Sequence, residues 1–296
     1  AGWGLTRGTG VGEGRSTVSL GRVALGLVTL FPPVHCAPPP LQGMALHTPS
    51  LHHLLTFRAR SHQQASKCAW QTILMRIVVC VKHVPDADSD RRIEQGRLVR
   101  GEDDVLNELD EHAIEAAVSI VEDLGGEVVA LTMGPADSED ALVRALQMGA
   151  DRGVLISDDS LAGADAVGTA RILARAIEVI GDEGPVDLVL TGMASLDGMT
   201  SMLAPALATY LNWPLLDIAH SVEIAADAPS TVTVERRVDG SLDTLKALTP
   251  VVVSVTDQVN EPRYPSFKDL RAARAKPLDV WEGWDWAGTA SDLESL

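Results

Sequence analysis

The chain has 296 residues, with 24 basic and 41 acidic side chains and a net charge of −17 at pH 7. That balance argues against a binder of nucleic-acid backbones, which needs clustered Lys and Arg. A hydrophobic content of 46% argues against disorder by composition, and no apolar run reaches the ~18 residues of a membrane span.

The charge is unevenly placed. Residues 1–74 hold six bases (Arg7, Arg15, Arg22, Arg58, Arg60, Lys67) and one acid, Glu13, a net of +5, which leaves −22 for residues 75–296. Three readings of the first segment compete. A transit peptide should be Arg- and Ser-rich and acid-poor, but this segment is long, and Gly8, Gly10, Gly12 and Gly14 break an amphipathic helix. A metal site from His35, Cys36, His52, His53, His62 and Cys68 matches no zinc spacing. The favoured expectation is an extension upstream of a start at Met75, with no packed structure before about residue 74. Cys80 is the one Cys after that point, which fits a reducing compartment. Its apolar neighbours suit a buried, inert thiol.

From Met75 onward, strand-like and helix-like runs alternate. Residues 77–81 form an apolar run of the kind found in parallel strands. A polar stretch follows, with a small hairpin expected around Ile93 and Leu98. Asn107 can cap a helix whose inner face holds Ala113, Ala117, Ile120, Val121 and Leu124, ended by Gly125-Gly126. Val128–Thr132 reads as a second strand, Ser138 as the cap of a helix to Met148, and Gly153–Ile156 as a third strand. Asp165 opens a long helix with Ala170, Leu173, Ala174, Ile177 and Ile180 inside, stopped by Gly181. Val186–Leu190 reads as a fourth strand ending in Thr191-Gly192, before a helix from about Thr200 to Leu211.

This order predicts an α/β fold, a parallel nucleotide-binding sheet with helices on both faces. Ligands of such sheets sit beyond the carboxyl ends of strands, here Cys80–Lys82, Thr132–Pro135 and Thr191–Asp197. After Trp213-Pro214, the runs Val222–Ala225, Thr231–Arg237, Leu242–Ala247 and Val251–Thr256 suggest a smaller antiparallel region, with a turn at Asp239-Gly240. The chain beyond Thr256 is basic up to Lys276, then Trp-rich and acidic.

The loop from Thr191 to Ser201 lies between a strand and a helix. Its glycines allow close backbone approach, the helix start offers free N–H groups, and Ser195, Thr200 and Ser201 add hydroxyls, a set that suits phosphate. It has neither a P-loop lysine nor a GxGxxG pattern, and an ordinary capped loop is the competing reading. Asp86, Asp88 and Asp90 read as an exposed charged loop. His83 and His112 have no nucleophile or carboxylate partner in sequence and read as non-catalytic.

Several separate motifs, in order, resemble the β subunit of electron transfer flavoproteins over residues 75 to about 280. They are Met75 to Asp86, Asn107-Glu108-Leu109-Asp110-Glu111-His112-Ala113, Met133-Gly134-Pro135, and Ala145-Leu146-Gln147-Met148-Gly149-Ala150-Asp151-Arg152-Gly153. Later come Val234-Glu235-Arg236-Arg237-Val238-Asp239-Gly240, Pro250-Val251-Val252-Val253-Ser254 and Asn260-Glu261-Pro262-Arg263-Tyr264-Pro265. The resemblance implies an electron carrier and not an enzyme, a heterodimer with an α subunit that holds most of the redox FAD. It would accept electrons from acyl-CoA dehydrogenases and related enzymes of fatty acid oxidation and pass them to a membrane quinone oxidoreductase. The setting implied is the bacterial cytoplasm, or the mitochondrial matrix in a eukaryote.

The resemblance also implies a structural AMP. Its contacts would fall at Cys80, at Asn107, Glu108, Leu109 and Asp110, and at Met133. They would continue along Gly192, Met193, Ala194, Ser195, Leu196 and Asp197, then Gly198, Met199, Thr200, Ser201, Met202 and Leu203. Residues 75–256 would form the nucleotide-binding domain and 257–296 a partner-recognition loop and C-terminal arm. In that loop Phe267 matches an apolar docking anchor, accompanied by Arg263, Tyr264, Lys268, Leu270 and Arg271, whose basic members suit an acidic partner surface. Departures from the family pattern are Leu109 where some members carry an aromatic, Arg237 at an often acidic position, Ser241, Asp243 and a short tail. Asp197-Gly198-Met199-Thr200 partly resembles electron-bifurcating relatives that bind a second FAD in place of AMP. A stand-alone adenine-nucleotide module of the universal-stress type is the third reading.

Overall fold

The structure, a computed structural model, describes residues 75–287 apart from Gln95, Glu102 and Trp284. The expectations for residues 1–74 and for the last nine residues lie outside that range.

The chain opens with β1 (Met75–Cys80) and β2 (His83–Pro85), then β3 (Ile93–Glu94), β4 (Arg97–Leu98) and β5 (Asp104–Leu106). Next come α1 (Glu108–Leu124), β6 (Gly126–Met133), α2 (Glu139–Met148), β7 (Arg152–Ser157) and α3 (Ala166–Asp182). They are followed by β8 (Leu188–Gly192), α4 (Leu203–Leu211), β9 (Leu215–Ala219) and β10 (Ser221–Ile224). The last elements are β11 (Thr231–Val238), β12 (Ser241–Leu248), β13 (Val251–Val255), α5 (Phe267–Ala273) and β14 (Leu278–Glu282).

Seven strands form one parallel sheet in the order β14-β7-β6-β1-β8-β13-β9. Helices cover both faces, so a central strand must be apolar on both sides. In β1, Ile77 and Val79 pack toward α1 and α2, while Val78 and Cys80 pack toward α3 and α4. This is why residues 77–81 read as an unbroken apolar run. Strands β10, β11 and β12 form a separate antiparallel sheet, with alternating burial along β12. Asp239 and Gly240 both adopt positive φ, 51° and 80°, as the two-residue turn between β11 and β12 requires.

Within the large sheet, three strands depart from the sequence reading. Val251–Val255 belongs to the parallel sheet, between β8 and β9, and not with the antiparallel strands. All five of its residues are buried, which marks a central strand. β9 and β14 were not foreseen. β9 follows directly on Pro214, and β14 lies in the Trp-rich stretch expected to form an arm, yet pairs with β7 from Leu278↔Gly153 to Glu282↔Ser157. An edge strand with one solvated side carries little apolar signal. The hairpin at Ile93 and Leu98 forms as expected.

Helix starts are mixed. The Asp165 carboxylate accepts from the Gly168 N–H at 2.7 Å, capping α3. Neither Asn107 nor Ser138 caps its helix through its side chain, and α4 begins at Leu203 rather than near Thr200.

Candidate functional site at the switch point

The chain runs from β1 outward through β6 and β7 on one side. It then returns to place β8 on the other side of β1. The reversal falls between β1 and β8, whose carboxyl ends, Cys80 and Gly192, lie side by side. Open α/β sheets bind ligands at such a crevice.

Asn107 stands just before α1 and is fully buried. Its Nδ2 donates to the Ala194 carbonyl at 3.0 Å, and its Oδ1 accepts from the Leu196 N–H at 3.0 Å. The side chain expected to cap α1 therefore holds the loop after β8. One turn on, the Asp110 carboxylate accepts from the N–H groups of Lys82 at 2.9 Å and Gly192 at 3.3 Å. Burial pushes its pKa up to about 7, against the opposing pull of these hydrogen bonds, the Asn107 side chain and the Lys82 charge. Gly192 is required by this packing. A Cβ there would meet Asp110 Oδ1 at 2.5 Å and the Leu109 carbonyl carbon at 2.8 Å.

At the loop tip the Asp197 side chain is only 4% exposed and pairs with Lys82 Nζ at 2.9 Å and with the Arg100 guanidinium. Lys82 Nζ also lies 3.4 Å from Ser195 Oγ, and Arg100 donates to the His83 carbonyl at 2.8 Å. Burial alone would raise the Asp197 carboxyl, but Lys82, Arg100 and Ser195 hold it well below the usual carboxylate range. Sequence reasoning missed both cations. Lys82 left a signal as the first charge after the β1 apolar run, whereas Arg100 lies 97 residues from its partner and left none.

The other residues expected here gather at the same end of the sheet. Met133 ends β6 half-buried, Leu109 is half-buried, and Glu108 is exposed. Ala194 is buried, with Met193, Ser195 and Leu196 half-buried. Gly198, Met199, Thr200, Ser201 and Met202 are exposed, and Leu203 begins α4 half-buried. Met199 and Ser201 adopt positive φ, 48° and 51°, uncommon for residues with a Cβ. Cys80 is buried, and burial, then the Asp110 charge, pushes its thiol up to about 12, so it is not a nucleophile at neutral pH. The hydroxyls of Thr132 and Thr191, at the ends of β6 and β8, are buried with no hydrogen-bond partner among the described residues. His83 is buried, its Nδ1 3.9 Å from Asp104, and His112 bonds to Asn260 at 3.1 Å. Asp86 accepts from the Asp88 N–H in a local turn. Two clefts, about 280 Å³ beneath α5 and about 730 Å³ between α1 and β10–β11, lie away from the switch point.

The segment from Arg263 to Arg271 lies apart from this site. Tyr264 is 93% exposed and Phe267 76%, with Leu270, Lys268 and Arg271 also at the surface. Arg263 does not join them. Its guanidinium is bound to Glu115 and Glu122 on α1.

Fold and crevice together define a protein of the doubly wound parallel α/β class. Residues 96–286 match the family model described as the electron transfer flavoprotein domain. The β subunit of the electron transfer flavoprotein of Mycobacterium leprae is 38% identical over 215 residues, covering 70% of this chain and 79% of that one. Protein FixA of Azorhizobium caulinodans is 38% identical over 217 residues, covering 71% and 76%. The β subunit from Thermoanaerobacterium thermosaccharolyticum is 35% identical over 223 residues, covering 74% and 80%. The chain belongs to the electron transfer flavoprotein family, among its β subunits and FixA proteins.

Proposed function

We propose that this chain is the β-type half of a two-subunit electron carrier that holds AMP at the β1/β8 crevice as a structural ligand. An α-type subunit would hold most of the FAD, and the redox chemistry is the flavin's. The complex would accept electrons from acyl-CoA dehydrogenases and deliver them to a quinone reductase. In this reading the chain makes and breaks no substrate bond; it binds nucleotide, supports the flavin subunit and docks partners.

The carrying observation is the crevice itself. Among the described residues the Thr191 hydroxyl, at the end of β8, is buried without a hydrogen-bond partner, and an unmade buried hydrogen bond costs about 1–3 kcal/mol, which a polar ligand reaching it would recover. Asn107 anchors the loop and Asp110 the ends of β1 and β8, and Gly192 lets β8 pack closely against Asp110 and Leu109. Cys80 is too buried to offer more than its backbone. Lys82 and Arg100 supply the positive charge a monophosphate needs, tempered by Asp197.

The test is the nucleotide released when the purified heterodimer is denatured. One AMP and one FAD per dimer is the expected result; no adenine nucleotide beyond the flavin would overturn it. A second reading, FAD in place of AMP, is favoured by Asp197-Gly198 followed by Thr200 in the loop, and predicts two FAD per dimer. A stable homo-oligomer that ignores any α subunit would remove the carrier reading.

A further inference from the structure

The surface segment 264–271 is held to the body in an unusual way. Helix α5 has seven residues and buries one of them, Ala273. A helix this short does not persist alone; a cleft of about 280 Å³ lies beneath it, and Ala273 is its one residue buried in the core. Polar fastenings hold it at both ends.

At the leading end, Arg263 uses four of its five guanidinium donors. Nε and Nη2 reach the two oxygens of Glu115 at 2.7 and 3.0 Å, and Nη1 and Nη2 reach those of Glu122 at 2.7 and 3.0 Å. Its backbone N–H also donates to Glu115 at 3.0 Å. Glu115 and Glu122 lie two turns apart on one face of α1, and Ser119 Oγ between them donates to Glu115 at 3.1 Å. Asn260, three residues upstream, exchanges hydrogen bonds with His112 on the same helix. Both glutamate carboxyls sit below their ordinary range. For Glu115, Arg263 and Ser119 outweigh its burial; for Glu122, hydrogen bonding to Arg263 is the main cause. Isolated surface pairs contribute little, but a doubly bidentate arginine on a nearly buried carboxylate is the geometry in which they do. At the trailing end, Lys276 Nζ donates to the carbonyls of Leu146 and Ala150 at the end of α2, at 3.0 and 2.6 Å. A capping box, Ser266 with Asp269, sets the first turn between these fastenings.

We propose that Arg263, with Lys276, is a positioning residue for partner docking: it holds Tyr264, Phe267 and Leu270 outward on a preformed element and does not itself meet the partner. This rests on the carrier reading above. It replaces the sequence-level expectation that Arg263 supplies charge to an acidic partner, because its charge is already matched by two carboxylates. A preformed element binds without an ordering cost, so loosening it weakens docking.

The experiment uses the flavin-loaded heterodimer as electron acceptor of a purified acyl-CoA dehydrogenase with its acyl-CoA. KM for the heterodimer and kcat are measured together with amide hydrogen exchange at 264–276. Phe267→Ala should raise KM about tenfold with exchange unchanged. Arg263→Gln and Glu115→Gln should each raise KM severalfold, leave kcat within about twofold, and speed exchange across the segment. Arg263→Lys keeps the charge without the fork, and should fall between Arg263→Gln and the native protein. A raised KM in Arg263→Gln with unchanged exchange, or an unchanged KM in Glu115→Gln, overturns the proposal while leaving docking intact. An unchanged KM in Phe267→Ala overturns the docking reading and the proposal with it.

Discussion

The switch-point crevice and the 264–271 surface are built on opposite plans. At the crevice, Asn107 and Asp110 are buried, and each bonds to backbone groups that lie far away in sequence. Around α5 the side chains that would do the work, Tyr264 and Phe267, touch little of their own protein. The first region is part of what makes the sheet ends fold; the second is fastened on by polar clamps. Substitutions should therefore separate them: crevice changes should be read in stability, surface changes in partner kinetics.

The strongest contrast is expected from Gly192→Ala. Its Cβ would collide with Asp110 and the Leu109 carbonyl, so unfolding by denaturant should show a loss of about 3 kcal/mol. An alanine tolerated with native stability would break the comparison at its base. Asn107→Ala leaves Ala194 O and Leu196 N without their side-chain partner, and should lose about 2 kcal/mol along with nucleotide retention.

A smaller, signed effect comes from pH. Asp110 has a folded pKa raised from 3.8 to about 7, so the folded state binds the proton more tightly. Its contribution to stability is fully present below about pH 4 and is lost as pH rises through about 7. Asp197 is lowered, so its contribution is present above its ordinary pKa and is lost as pH falls through its depressed one. Asp110→Asn should flatten the decline in the urea midpoint between about pH 4 and pH 7, and an unchanged slope would remove Asp110 as its source. The smallest stability change should be that of Phe267→Ala, within about 0.5 kcal/mol, because the ring is mostly in solvent. A larger loss in its thermal melt would mean that the ring packs at home.

The same contrast explains what was legible beforehand. β1, β6, β7 and β8 are apolar on both faces, and that burial wrote itself into the sequence as runs. The Asp165 cap and the Asp239-Gly240 turn depend on neighbours a few residues away, and both were read correctly. Asn107 has the composition of a cap, but its partners lie 87 and 89 residues downstream, and those bonds won. Edge strands β9 and β14 have no two-sided burial to advertise them.

Local patterning by itself determined the α/β class, the parallel direction of the central strands and the loop at the end of β8, because burial period and turn chemistry are short-range. Only the tertiary structure decided that Lys82 and Arg100 converge on Asp197, and that Arg263 turns inward to Glu115 and Glu122. A charged side chain reads as exposed until a distant carboxylate is brought against it, and that distance is set by the fold.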